Sequence, residues 1–203
     1  MQRIIAFAFL ALLGLGSTVH AAESPAQDIV ASLHAALLDV MIAADALGFE
    51  GRRDYLAPVM EDSYDMALIA RASTGRYWRQ ANDDQRRRIV DAITRLSITI
   101  YAARFDGFSG ERFRTLSEEP GPRGTVLVRT EIVKSDGDTV ALNYLMRETG
   151  GAWRIVDVYL DGIYSEIALK RADYAGILKR AGFDALFAEI EKKIAEIERE
   201  GGN

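Results

Sequence analysis

The residue types that could carry covalent or metal chemistry are few in this chain. Cysteine is absent, which excludes disulfides, thiolate metal sites, a cysteine nucleophile and a lipidated N-terminal cysteine. The only histidines are His20 and His34. One histidine in the body of the chain cannot build a multi-histidine metal cage, and it makes a Ser-His-Asp triad improbable. Acid pairs occur at Asp83-Asp84, Glu118-Glu119, Asp136/Asp138 and Asp157/Asp161. Any of them could be drawn as a glycosidase dyad or a calcium site. With 30 acids in 203 residues such pairs arise by chance, and Asp136-Gly137-Asp138 is turn chemistry. No Walker A segment, dinucleotide glycine fingerprint or nucleophile elbow is present. Trp78 and Trp153 could stack on a sugar or base, but serve equally as interior aromatics. Tyr144, Asp157 and His34 are the only polar groups worth testing for turnover.

The elements that must position these residues fall into three runs. Arg3, the apolar stretch Ile4 to Leu15 and Val19-His20-Ala21 read as a signal peptide spanning 1–21, with cleavage after Ala21 or Ala22. That stretch is too short for a comfortable membrane span. Export places the mature chain in the periplasm of a two-membrane host. Residues 22–203 then form a single domain, long enough to bury roughly 70% of its unfolded surface. Removing Arg3 takes the formal charge from −5 to −6, which argues against a nucleic-acid partner.

Ser24-Pro25 is an N-cap with Pro at N1, followed by an apolar stripe through Ile29, Leu33, Leu37, Val40 and Ala44. His34 flanks that stripe. Short helices over 49–72, broken near Pro58 and capped again by Asp62 or Ser63, precede a long helix opened by Asn82. Arg86, Arg87 and Arg88 on its first turns read as a solvated face. Near residue 124 the period changes from 3.6 to 2. Val126 to Ile132, Val140 to Met146 and Trp153 to Leu160 read as strands. Turns at Ser135-Asp136-Gly137-Asp138 and Thr149-Gly150-Gly151 separate them, and Arg112 to Ser117 is a possible edge strand. After Gly162 the helical period returns. The fold class is α+β: N-terminal helices, a curved antiparallel meander of three to four strands, then C-terminal helices, enclosing an apolar pocket.

Two segments carry a family resemblance. Tyr64-Asp65-Met66-Ala67, Gly75-Arg76-Tyr77-Trp78-Arg79-Gln80-Ala81 and Gln85 resemble the aromatic-Asp, Gly-x-x-Trp and Gln landmarks of the MlaC-type periplasmic lipid carriers, also called toluene-tolerance auxiliary proteins. Trp153-Arg154-Ile155-Val156-Asp157-Val158, Asp161-Gly162 and Gly182-Phe183-Asp184-Ala185-Leu186 resemble that family's last strand and C-terminal helices. Where carriers of the phospholipid branch have Ser two places after the glycine, this chain has Tyr164. Its Ser165-Glu166-Ile167-Ala168 and Lys170-Arg171-Ala172-Asp173-Tyr174 look more like the hopanoid-associated HpnM branch.

The resemblance implies a soluble, monomeric shuttle that needs no cofactor and carries phospholipid or hopanoid as cargo. Its implied partners are an outer-membrane lipoprotein complex and an inner-membrane ABC transporter bearing an MCE-domain protein. The expected pocket wall is Val126, Val128, Val140, Leu142, Tyr144 and Met146, with Val156, Val158 and Leu160 from the third strand. Leu68, Ile93, Leu96 and Tyr101 face them from the helices. Two other classes stay open: a small-molecule enzyme on a cone-shaped α+β scaffold, and a cargo-free envelope interaction module.

Overall fold

The computed structural model describes residues 24–202; the expected signal peptide over 1–21, including His20, lies outside the described residues. Helix α1 (Pro25–Ile42) starts as its sequence dictates, with the Ser24 hydroxyl accepting from the Gln27 amide at 3.2 Å. Its length and mean hydropathy, 1.2 over 18 residues, would suffice for a membrane span. Here its apolar side is core, with Val30, Leu33, Leu37 and Val40 fully buried.

Helix α2 (Ala44–Ser63) turns at Gly48, whose φ of 60° and ψ of −177° break the helical run. The expected break at Pro58 is absent, and α2 continues through it. Pro58 is exposed, so the carbonyl its ring leaves without a helical partner is open to water. Asp65, rather than Asp62 or Ser63, caps α3 (Met66–Thr74), accepting from the Leu68 amide at 2.9 Å. A 3-10 turn (Gly75–Arg79) leads to α4 (Asp83–Arg104). There Asn82 and Gln85 form a reciprocal capping box.

The meander follows in sequence order: β1 (Arg112–Pro120), β2 (Val126–Val133), β3 (Thr139–Thr149), β4 (Ala152–Leu160) and the two-residue β5 (Tyr164–Ser165), all antiparallel. The hairpin turns lie where their residues place them. Gly137 has φ 93°, while Gly150 and Gly151 have φ 63° and 83°. Ser165 caps the final helix, α5 (Glu166–Gly201), accepting from the Ala168 amide. A second break, at Gly182 with φ 75° and ψ −166°, divides α5.

One face of the sheet is the floor of the core. Val128, Tyr144 and Val158 lie side by side across β2, β3 and β4, and Leu142 pairs with Leu160. Helices α1, α2, α3 and α5 all touch the sheet, and α4 packs against α2, α3 and α5. Each aliphatic side chain fully buried in this layer contributes about 1.5–3 kcal/mol.

Two bulges interrupt the period of two. Leu116 has no partner on β2, and Val156 has none on β3. An unpaired residue reverses which neighbours face inward. Ile155, opposite Met146, therefore joins the core cluster, while Val156 is buried outside it.

Candidate functional site

The interior between sheet and helices is apolar but contains hydroxyls. His34 of α1 stacks on Phe113 of β1 with ring centroids 4.1 Å apart. Its Nε2 and the Tyr144 hydroxyl share a hydrogen bond at 3.0 Å. Burial pushes the imidazole pKa down to about 3, so His34 is neutral at physiological pH. A second buried bond, hydroxyl to hydroxyl at 2.6 Å, joins Tyr64 and Tyr101. Desolvation raises the pKa of Tyr64, Tyr101 and Tyr144 alike. The tyrosines and the imidazole are thus polar and uncharged. His34, placed by the sequence on the flank of the apolar stripe, is buried and forms a polar link between α1 and the sheet.

A cavity of about 20 Å³ sits beside the tyrosine pair, lined by Met60, Tyr64, Met66, Ile69, Tyr101 and Val158. Asp157, Glu166 and Lys170 border it as well. Lys170 bonds Glu166 at 3.3 Å. Tyr64 and Met66 also border an open cleft of about 740 Å³ between the helices and the β3–β4 hairpin, lined by Ala67, Trp78 and Val90 and by the charged Glu61, Asp65, Asp91, Arg86, Arg87 and Arg154. Tyr64 and Met66 are the residues shared by cleft and cavity. The basic run at the start of α4 is not merely solvated: Arg86 and Arg87 are paired with Asp83 and Asp84 while bordering the cleft.

The wall residues expected from the sequence separate into groups. Val128, Leu142, Tyr144, Met146, Val158, Ile93, Leu96 and Tyr101 belong to one packed cluster, with Val126 and Leu160 at its margin. Among them only Tyr101 and Val158 reach the cavity. Val140 is half-buried outside the cluster. Val156 is displaced from the inner face by its bulge. Leu68 points to a different place, a basic groove formed with α5 and the sheet end. Sequence reasoning missed Met60, Met66, Ile69 and Tyr64 as lining residues. Tyr64 and Met66 lie in one of the quoted landmark segments.

The enzyme candidates do not assemble. His34 and Tyr144 meet, but neither lines the cleft, the cavity or the basic groove. Asp157 is engaged elsewhere. It accepts from the Ser165 hydroxyl at 2.5 Å and from the Val158 and Ile167 amides at 2.9 and 3.1 Å, which ties β4 to the start of α5. Burial raises its pKa and these bonds oppose the shift. No group of three or more potential metal ligands occurs among the described residues.

A single antiparallel meander roofed on one face by helices, with neutral hydroxyls inside and an open cleft outside, defines the α+β architecture. Residues 32–192 match the MlaC protein family, and the chain belongs to that family. A solved structure, the phospholipid-binding protein from Ralstonia solanacearum in complex with a phospholipid, superposes with a TM-score of 0.76. The two share 20% identity over 86% of this chain and 99% of that one; at this identity the likeness establishes the fold. No curated protein matches the chain.

Proposed function

We propose that the protein is a periplasmic lipid carrier, not an enzyme, and that it takes up lipid chains between the sheet and the helices. The observation that carries this reading is that Tyr64 and Met66 border both the surface cleft, whose exposed lining is mostly apolar with charged residues around it, and the small inner cavity, where apolar side chains and the tyrosine hydroxyls meet Asp157, Glu166 and Lys170. Each CH₂ moved into such an interior contributes about 0.8 kcal/mol. Family membership and the phospholipid held by the Ralstonia protein support the same reading.

A cavity of about 20 Å³ accommodates about one water. Loading therefore requires the helical layer to part from the sheet, and the side chains that fill the interior become the walls of the loaded pocket. Val128, Leu142, Tyr144 and Met146 are the proposed floor, with Tyr101, Leu96 and Ile93 opposite. The cargo is a phospholipid or a hopanoid, passed between an outer-membrane complex and an inner-membrane transporter. Tyr164, exposed in β5 just before α5, and the segment after it are the features that favour hopanoid.

The test is solvent extraction of protein purified from its own envelope fraction, followed by mass spectrometry. Phospholipid or hopanoid in stoichiometric amount is expected. Protein that carries neither, and takes up neither from vesicles containing both, would overturn the carrier reading and favour the interaction module.

A further inference from the structure

A groove of about 520 Å³ opens where α3, the 3-10 turn, the β1–β2 turn, the end of β3 and the start of α5 converge. Six arginines line it: Arg71, Arg76, Arg79, Arg123, Arg147 and Arg171. No carboxylate lines it, and none of the six is in an ion pair among the described residues. Outside the groove many arginines are neutralised by carboxylates, among them Arg87, Arg95, Arg114 and Arg129, although Arg112 and Arg180 are not in any of the ion pairs among the described residues. Uncompensated like charges repel, so gathering them from five parts of the fold opposes folding unless an anion offsets it.

Two of the six are braced in place. Arg171 donates from Nε to the Ala72 carbonyl at 2.8 Å, and its side chain lies 3.6 Å from where a Cβ on Gly75 would stand. The Arg76 guanidinium lies over the Tyr77 ring, 5.1 Å from its centroid, and donates to that hydroxyl. Braced guanidiniums lose less freedom on binding and present their paired donors in a fixed fork.

We propose that this groove binds a phosphate-bearing anion. Several forks around one concavity match a tetrahedral group with three or more acceptor oxygens better than a lone carboxylate. The groove is a concavity rather than a flat face of the kind that docks an acidic protein. The site is separate from the interior and does not depend on what the interior carries. Its phosphate comes either from a small soluble anion or from the headgroup of an anionic lipid.

The experiment titrates inorganic pyrophosphate into the full chain at constant ionic strength, following the melting temperature and heat of binding. Wild type is expected to gain stability with pyrophosphate. Arg79→Ser/Arg147→Ser, which alters two exposed side chains, is expected to bind about tenfold or more weakly. Arg112→Ser/Arg180→Ser, outside the groove, is expected to match wild type. Arg79→Lys/Arg147→Lys keeps the charge and loses the fork, giving an intermediate affinity should the serine variant fold poorly. In a second arm, vesicles of phosphatidylcholine with and without phosphatidylglycerol are sedimented with protein. Groove-dependent binding to the anionic vesicles assigns the headgroup source; a pyrophosphate response without it assigns the soluble source. Equal responses in wild type and both serine variants would overturn the proposal. So would binding of polyglutamate without any pyrophosphate response, which would mark the groove as a surface for acidic protein.

Discussion

At the scale of single residues, His34 ties stability to pH. Its pKa is about 3 in the folded protein against about 6.5 in an unfolded chain. Between these values the unfolded state binds the proton and the folded state does not, so stability falls as pH drops from 6.5 towards 3. At pH 5 the loss is about 2 kcal/mol relative to pH 7. His34→Gln keeps a partner for the Tyr144 hydroxyl and removes the titration. Urea unfolding of both proteins at pH 7 and pH 5 should show the pH-dependent drop shrink by about that amount in the variant. An unchanged drop would show that other groups cause it. The sequence placed His34 on a helix flank but could not pair it, because Tyr144 is 110 residues away in the chain. The same distance problem hid the Tyr64–Tyr101 bond.

At the scale of elements, what was legible is what is encoded locally. Ser24, Asn82 and the glycine turns announce themselves within four residues. The bulge at Val156 does not, since an alternating apolar pattern reads the same with or without one unpaired residue. Pro58 misled for the opposite reason: its local signal is strong, but exposure on α2 makes it tolerable. The real breaks are Gly48 and Gly182, which share a positive φ and an extended ψ. Only glycine adopts that conformation without strain. At Gly182 an added Cβ would meet no atom within 4 Å, so the cost of Gly182→Ala is purely that of the backbone, about 1–3 kcal/mol. Gly176→Ala, in regular helix of the same element, would touch only the flexible end of Arg180 and should gain about 0.5–1 kcal/mol. Opposite shifts of the two urea midpoints would bear this out, whereas a neutral Gly182→Ala would mean the break does not persist in solution.

At the scale of the whole molecule, the interior is closed while the proposed cargo is large. The apolar inner face of the sheet was readable from period-two alternation, and the family resemblance from the Trp78 and Trp153 segments. That this face would be packed shut was not readable, because periodicity reports which way a side chain points and not what fills the space before it. Loading must therefore change the dimensions of the protein. Small-angle scattering of delipidated and lipid-loaded samples is expected to show a larger radius of gyration on loading, with the strand amides still protected from hydrogen exchange. A loaded form of unchanged radius would place the lipid in the outer cleft instead of the interior.

Strand β1 lies at the rim of the sheet, and such a rim invites backbone pairing between molecules. Here the invitation is withdrawn by its sequence. Arg112, Arg114, Glu118 and Glu119 place charge along the strand, the Leu116 bulge spoils its straightness, and Pro120 ends it without an amide donor. Ser24 bonds Glu118 from the start of α1. A carrier that loads as proposed above would expose apolar sheet each time it opens. A rim that rejects strand-by-strand growth would keep those open moments from seeding fibrils.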